Sequence, residues 1–160
     1  MELNSFIGQA QTAIDEKGRS AFPREFRRLL SEEEGRSLVV TFGTQRSLIL
    51  FTLVEYEKFV AKIESRPFTP KNDRFRRTFK ASAHYVALDG QNRIMLSKND
   101  LAFANLDGEV LYVARTGKSL ELWNPSVYNS KYGFNKDEDY QEFDAGFYDD
   151  LTSGDSSEKQ

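Results

Sequence analysis

The sequence predicts a mainly β protein with short helices, an α+β fold in which two similar halves form one small barrel with pseudo-twofold symmetry. The first observation is an internal duplication: the pattern Asp15–Arg19 recurs as Asp89–Arg93, 74 residues later. The second is that short apolar or β-branched runs, separated by turn residues, surround both copies, which is typical of antiparallel strands. The third is that each half is too short to bury a core of its own.

A second correspondence supports the duplication and indicates its boundaries. Phe51 and Tyr56 recur as Trp123 and Tyr128, at an offset of 72. Two correspondences in the same order argue against a chance repeat. The sequence therefore predicts a first half over 1–66, a linking basic helix over 67–80, a second half over 81–132 and an acidic, disordered tail over 133–160.

The first half is predicted to run strand, turn, short strand, short helix, hairpin and helix. Pro23 suits the first turn of the short helix, Gly43 and Thr44 mark the hairpin turn, and apolar residues recur at helical spacing from Leu53 to Ile63. The predicted elements are strands over 10–14 and 20–23, a helix over 24–30, strands over 38–42 and 47–52, and a helix over 53–64.

The second half repeats this order after a short link. Pro67 and Pro70 end the preceding helix, and a helix rich in Arg and Lys follows over 73–80. Ser97 is a good N-cap for the counterpart of the first short helix. The predicted elements are extended runs over 82–88 and 94–97, a helix over 98–104, strands over 109–115 and 119–123, and a final helix around Tyr128.

Composition excludes several classes of function. The chain has no Cys and a single His, His84, so it offers no thiolate chemistry and no multi-His metal site within one chain. We interpret His84 as structural, and a hydrolase that uses it with nearby acids is the weakest alternative. The sequence shows neither a Gly-rich phosphate loop nor a catalytic carboxylate pair. We predict that the protein is not an enzyme and needs no cofactor, metal or small-molecule substrate.

Hydropathy and charge indicate a cytoplasmic protein with a mildly basic body. No stretch approaches the ~20 apolar residues of a membrane span, and the N-terminus lacks the features of a signal peptide. Residues 131–160 hold three Lys against nine acidic residues, whereas residues 1–130 carry a net charge of +3. Such a body permits a polyanionic partner, and aromatic residues give the acidic tail the means to dock on a basic face.

The duplicated turn is the strongest candidate for a functional site. It opens with a short carboxylate that caps backbone N–H groups, and its fourth residue is of a type that accepts positive φ. Its last residue is Arg, whose planar donors match a guanine edge or a phosphate. Two interpretations stay open: the Asp and Arg pair only to fix the loop, or the guanidinium points outward to a ligand. The turn-structuring residues are Asp15, Gly18, Asp89 and Asn92, and the displayed cations are Lys17, Arg19 and Arg93.

A second basic feature is the first short helix, where Arg24, Arg27 and Arg28 fall on one face. This face is either solvated or in contact with a polyanion. In the linking helix, by contrast, Phe75 and Phe79 lie four residues apart and indicate a buried side. We therefore assign the arginines of the linking helix to packing or solvation.

Together these motifs resemble the MraZ family of bacterial transcriptional regulators. The resemblance rests on Asp15–Pro23, Asp89–Arg93, Glu121–Trp123 and the hairpin that ends at Phe51, and covers residues 4–130. It implies an AbrB-like double-split β-barrel within one chain, and ring-shaped homo-oligomers. It also implies a nucleoid-associated repressor of the division and cell-wall gene cluster that binds double-stranded DNA at short G-rich direct repeats. The resemblance implies that Lys17 and Arg19 of the first turn contact DNA. We add Arg93 of the second turn, ranked below Arg19, and Arg24 of the basic helix face as further candidate DNA-binding residues.

The competing interpretation is a ring-forming scaffold that binds a protein partner through the Arg faces. A salt titration against DNA separates the two, because a scaffold should bind DNA feebly and without sequence preference. The two turns also differ from each other: the second has Gln91 in place of Lys17 and Asn92 in place of Gly18. We therefore expect Arg19 to contribute more to DNA binding than its counterpart in the second turn.

Overall fold

The fold is given by a computed structural model that describes residues 5–133 and 145–158. The chain divides into two compact units, Met1–Pro125 and Ser126–Gln160. The elements of the first unit are β1 (Gln9–Ala13), β2 (Arg19–Ala21), α1 (Arg24–Arg27), α2 (Glu32–Arg36), β3 (Leu38–Phe42), a 3₁₀ turn (Thr44–Arg46), β4 (Leu48–Thr52), α3 (Leu53–Glu64), α4 (Pro70–Ser82), β5 (His84–Val86), β6 (Arg93–Met95), α5 (Lys98–Phe103), β7 (Glu109–Ala114) and β8 (Ser119–Trp123). Helix α6 (Pro125–Tyr132) begins at the boundary between the units, and α7 (Ala145–Glu158) lies in the second unit.

Strand pairing joins the two halves of the duplication. The large sheet has six strands in the order β1-β7-β8-β4-β3-β5, and a small sheet pairs β2 with β6. Strand β1 of the first half pairs with β7 of the second, and β5 of the second half pairs with β3 of the first. The counterparts in the duplication are β1 and β5, β3 and β7, and β4 and β8. Exchanging each strand for its counterpart gives the same order read from the other edge of the sheet. The prediction of an α+β fold with a mainly antiparallel sheet is confirmed.

The register shows where the halves meet. In the large sheet Ile49 of β4 lies opposite Glu121 of β8, and in the small sheet Ser20 of β2 lies opposite Ile94 of β6. Each pair joins two positions that correspond in the duplication. The symmetry that relates the two halves is therefore centred on these two residue pairs. As a result, the small sheet carries one Asp-x-x-x-Arg turn at each end.

Apolar side chains from both halves form the main core, and a second cluster covers the other face of β4. Successive residues of a strand point to opposite faces. Leu50 accordingly belongs to the main core, whereas Ile49 and Phe51 belong to the second cluster. That cluster is completed by Ile63 of α3 and Phe79 of α4. Both faces of β4 are thus buried, and this strand fixes α3 and α4 against the sheet.

Two helices differ from the sequence-based prediction. Helix α4 is longer than the predicted stretch over 73–80, because the Thr69 side chain caps its N-terminus and Pro70 occupies its first turn. The acidic run Glu32–Glu34 opens α2, a helix that the sequence reading misses. Ser31 is its N-cap, and the Glu34 side chain completes a capping box.

The second unit also contains a helix where the sequence predicts none. Within the tail over 133–160 that the sequence predicts to be disordered, the structure has a helix, α7, over Ala145–Glu158. This segment lacks apolar periodicity, which is why a helix is not expected from the sequence. In the structure, the Thr152 and Ser153 hydroxyls donate hydrogen bonds to the Asp149 carbonyl at 3.0 and 2.7 Å. Residues 134–144 and 159–160 of the predicted tail lie outside the described residues. No helix of the described residues is long and apolar enough to cross a membrane.

Candidate nucleic-acid interface

The first Asp-x-x-x-Arg turn is closed by its own carboxylate. Asp15 Oδ1 accepts hydrogen bonds from the Lys17 and Arg19 N–H groups, both at 2.9 Å, and the Asp15 carbonyl accepts from the Gly18 N–H at 3.0 Å. Gly18 has φ +84°, in the left-handed region that glycine favours. Chiefly because of the hydrogen bond from the Arg19 backbone, the pKa of Asp15 lies below its ordinary value. An ionised carboxylate therefore holds the turn in shape.

The Arg19 guanidinium is anchored on one edge only. Its Nε donates to Asp15 Oδ2 at 2.7 Å, and among residues 5–133 no other side chain forms an ion pair with it. This leaves the two Nη groups for another partner. A guanidinium held in this way presents its remaining donors in a defined direction, which suits bidentate recognition. Arg19 thus pairs with Asp15 and still offers donors to a ligand.

The second turn repeats this geometry. Asp89 Oδ1 accepts from the Gln91 and Arg93 N–H groups at 2.8 and 2.9 Å, and Asp89 Oδ2 accepts from Arg93 Nε at 3.0 Å. The pKa of Asp89 is lowered, chiefly by the hydrogen bond from the Arg93 backbone. Asn92 has φ +59°, a left-handed conformation that Asn adopts more readily than most residues. The duplication therefore extends to individual hydrogen bonds.

Each turn is fastened to the opposite half. The Leu96 N–H donates to the Gly18 carbonyl at 2.8 Å, and at the corresponding place the Phe22 N–H donates to the Asn92 carbonyl at 2.9 Å. A Cβ atom on Gly18 would lie 2.6 Å from the Leu96 carbonyl oxygen. Glycine is therefore required in the first turn by its conformation and by the close approach of the other half.

The small sheet brings the two arginines to one surface. Arg19 lies opposite Met95, and Ala21 lies opposite Arg93; residues directly opposite in an antiparallel pair share a face. Ser20 and Ile94, between them, are buried, so the arginines occupy the outward face. Diagonal neighbours of this kind have Cα atoms about 7–8 Å apart. The structure thus joins two turns that are distant in sequence into one arginine-bearing ribbon.

A buried polar network fixes this ribbon to the core. Ser20 Oγ lies 2.7 Å from Tyr112 Oη and 3.0 Å from Thr12 Oγ1. Complete burial raises the pKa of Tyr112, which keeps the phenol neutral and able to donate. The Tyr112 ring also packs edge-on against Phe22, with centroids 5.7 Å apart. Sequence reasoning misses this network, because nothing in the spacing of these residues indicates that they meet.

The remaining predicted cations lie near the ends of the ribbon. The Lys17 side chain is exposed on the first turn, and Arg24 is exposed at the start of α1. Within residues 5–133 no hydrogen bond or ion pair joins Arg24 to either turn. Lys98 occupies the corresponding first position of α5 and is also exposed. The sequence reading does not single out Lys98, although its offset of 74 from Arg24 is a readable signal.

His84 has a structural role. Its Nε2 lies 2.6 Å from Oδ2 of Asp100, a buried residue that also accepts from the Ser97 N–H at 2.9 Å. His84 therefore ties β5 to the capped start of α5, as expected for a structural histidine. In the described part of the chain no group of three or more His, Cys, Asp or Glu side chains is placed to hold a metal ion.

Fold and site together define an internally duplicated protein that presents two arginine-bearing turns on one ribbon. The family model described as "MraZ protein, putative antitoxin-like" matches residues 5–78, which include the first turn. The chain belongs to the MraZ family.

Three curated relatives support this assignment, and each is named "Transcriptional regulator MraZ". The protein from Acetivibrio thermocellus is 35% identical over 129 residues, covering 80% of this chain and 87% of the relative. That from Thermoanaerobacter sp. (strain X514) is 33% identical over 146 residues, covering 91% and 97%. That from Methylococcus capsulatus is 34% identical over 125 residues, covering 78% and 82%. Their name is that of a regulator and not of an enzyme, in agreement with the prediction.

Proposed function

We propose that the protein is a sequence-specific DNA-binding transcriptional regulator, acting as a repressor, and that the outward face of the β2–β6 ribbon meets the DNA. The observation that carries this proposal is the placement of Arg19 and Arg93 on one face of the ribbon, each anchored through Nε. A two-stranded β-ribbon fits the major groove of B-DNA, where Arg donors pair with O6 and N7 of guanine. The name shared by the three relatives supports a role in transcription.

The cations of the interface have different roles in this proposal. Arg19 reads a guanine edge, a contact worth about 1–3 kcal/mol of discrimination. Arg93 does the same less strongly, because its turn lacks the lysine of the first turn. Lys17 is a flexible point charge and binds phosphate, and we give Arg24 the same role. Base contacts then provide the specificity, and phosphate contacts provide much of the affinity.

We propose the AbrB-like double-split β-barrel as the architecture. Its support is the exchange of strands between halves, in which β1 pairs with β7 and β5 pairs with β3. In such an arrangement neither half completes its sheet alone. The two DNA-contacting turns therefore remain in a fixed relation to each other, through the β2–β6 pairing at the centre.

Ring-shaped homo-oligomers on short G-rich direct repeats are part of the same proposal. One turn supplies only a few kcal/mol of discrimination, so a regulator gains by engaging several repeats at once. Linking weak contacts in this way raises overall affinity by about 10²–10⁴. The proposed target is the region upstream of the division and cell-wall gene cluster, which would place the protein in the cytoplasm at the nucleoid.

A footprint on the region upstream of the protein's own gene tests the proposal. The full-length protein should protect short G-rich direct repeats, and Arg19→Ala should abolish this protection. The matched control is Arg36→Ala, because Arg36 is an arginine with a 75% exposed side chain on α2 that pairs only with Glu32 at 3.6 Å in the described residues; it should leave the footprint intact. Feeble binding without protected repeats would favour the scaffold that binds a protein partner.

A further inference from the structure

An apolar groove with a basic rim lies between α3 and α4, the helices that cover the second apolar cluster. Its volume is about 390 Å³. Apolar side chains form its floor, and three basic side chains stand around it. The floor residues are Phe59, Ile63 and Phe75, and the rim residues are Lys62, Arg66 and Lys71.

The three rim cations lack acidic partners. None of them forms an ion pair within the described residues, and all three are exposed. Two nearby acids are already engaged, since Glu64 approaches Lys80 at 3.6 Å and Asp73 bonds both Arg76 and Arg77 at 2.6 and 2.9 Å. The positive charges of three unpaired cations around an apolar floor repel one another, and a bound anion would offset this repulsion. The groove therefore suits an occupant that is both acidic and apolar.

Helix α7 has the complementary character. It contains four acidic residues and no basic residue over 145–158. Tyr148 and Leu151, three positions apart and so on one face, are 54% and 58% exposed. Gly146 and Gly154 weaken the helix, and an isolated helix of 14 residues is marginal in water unless its apolar face packs against something. α7 is thus an acidic helix on which the Tyr148 and Leu151 side chains are exposed.

We propose that α7 of one copy docks in the α3–α4 groove of a second copy. Tyr148 and Leu151 occupy the apolar floor, and the Asp149 and Asp150 carboxylates meet the basic rim. This is the helix-in-groove mode of recognition. Because every copy carries one helix and one groove, the contact is head-to-tail and can repeat from copy to copy. The inference concerns contacts between copies and does not depend on DNA binding.

Site-directed disulfide formation tests the proposal directly, because the chain has no Cys of its own. A tagged full-length Phe75→Cys chain is mixed with an untagged Leu151→Cys chain and oxidised. The tag separates the mixed product from either homodimer. We expect a mixed disulfide at several times the yield given by Ile7→Cys in place of Phe75→Cys, since Ile7 is more accessible, at 79% exposure against 50% for Phe75, but does not line the groove.

Equal yields from Phe75→Cys and Ile7→Cys, or no mixed product, would overturn the proposal. So would a disulfide that forms only within one chain of a Phe75→Cys/Leu151→Cys double variant. Wild-type footprints on DNA would be retained in either case, so failure here is distinguishable from failure of the proposed DNA-binding function.

Charge exchange gives an independent test. In the disulfide assay, Lys62→Glu/Arg66→Glu in the groove should reduce the yield several-fold, and so should Asp149→Lys/Asp150→Lys in the helix. Mixing the two altered chains should restore the yield, because the charges are again complementary. Added salt should weaken the wild-type pair, since exposed charges are screened. A reduced yield in each altered chain without recovery in the mixture would contradict the proposed pairing.

Discussion

Gly18 and Asn92 occupy corresponding positions in the two turns, yet only the first site has no room for a side chain. Gly18 combines φ +84° with the close approach of the Leu96 carbonyl. Gly18→Ala should therefore lower the free energy of unfolding by at least about 1–2 kcal/mol, the cost of a left-handed conformation for an L residue. Urea unfolding measures this change.

Gly90 provides the matched control for Gly18. A Cβ atom there would have no neighbour within 4 Å, and its φ is not positive. Gly90→Ala should change the free energy of unfolding by less than about 0.5 kcal/mol, as for an ordinary surface substitution. Equal effects of the two substitutions would show that the first turn is not constrained as described.

The two turn carboxylates make a contribution to stability that depends on pH. The pKa values of Asp15 and Asp89 are lowered in the folded protein. Groups of this kind stabilise the fold at pH values above the unfolded-state pKa, about 3.9. That contribution is lost as the pH falls through the lower folded-state pKa. Wild type should therefore be more stable than Asp15→Asn/Asp89→Asn at pH 6, and the difference should shrink as the pH falls below about 4.

Urea unfolding at several pH values measures that difference. A gap between wild type and the double variant that stays constant down to acid pH would contradict the assignment, because it would show that the carboxylates do not act through their charge. The same double variant provides a check on the site, since loosened turns should also bind DNA less specifically.

Residue types at fixed spacing predict the turns well, but they do not indicate contacts between residues that are distant in the sequence. The roles of Asp15 and Gly18 follow from residue types at fixed spacing. The sequence offers two alternatives for Arg19, either paired or facing a ligand; the structure combines pairing through Nε with unused Nη groups. The bond between Ser20 and Tyr112 joins residues 92 positions apart. No pattern of local sequence encodes such a contact.

At the scale of elements, α2 shows how charge can obscure a helix signal. Glu32–Glu34 indicate a solvated acidic run, yet Ser31 and Glu34 have the spacing of a capping box, which forms in the structure. Glu34 also accepts from Lys118 Nζ at 2.9 Å, which ties the helix to the β7–β8 turn. Helix α7 differs in kind, because its sequence contains no comparable apolar period.

The capping box of α2 makes a measurable contribution. Ser31→Ala should lower the free energy of unfolding by about 1 kcal/mol, since it removes the acceptor for the Glu34 N–H. Ser65→Ala is the control: the Ser65 hydroxyl donates to the Lys62 carbonyl at the end of α3 and caps no N–H group. A change in urea unfolding that is no larger for Ser31→Ala than for Ser65→Ala would show that α2 does not depend on its cap.

At the scale of the whole molecule, the duplication is what the sequence predicts best. The offset between the two turns predicts two related halves, and the strand order is symmetric under their exchange. The exchange of β1 and β5 between halves is not readable from the sequence, because pairing partners are set by long-range packing. The pairing implies that a half cannot complete its own sheet.

Separated halves should therefore fold only together. A fragment over 1–66 lacks β7 as the partner of β1, and β5 as the partner of β3. It should not fold as a monomer, and mixing it with a fragment over 67–132 should restore a complex with one copy of each. Urea unfolding combined with analytical ultracentrifugation measures both. A monomeric 1–66 fragment with a cooperative unfolding transition would contradict the exchanged pairing.

The ratio of affinities for a footprinted repeat and for a scrambled sequence tests the central claim most directly, when it is measured for wild type, Arg19→Ala and Lys17→Ala. Arg19→Ala should reduce this ratio by roughly 5- to 150-fold for each engaged copy, the equivalent of about 1–3 kcal/mol. Lys17→Ala should weaken binding to both sequences alike and lower the salt slope by about 0.9 for each phosphate that the lysine no longer neutralises. An Arg19→Ala protein that keeps the wild-type ratio would contradict the assignment of this turn as the reader of DNA sequence.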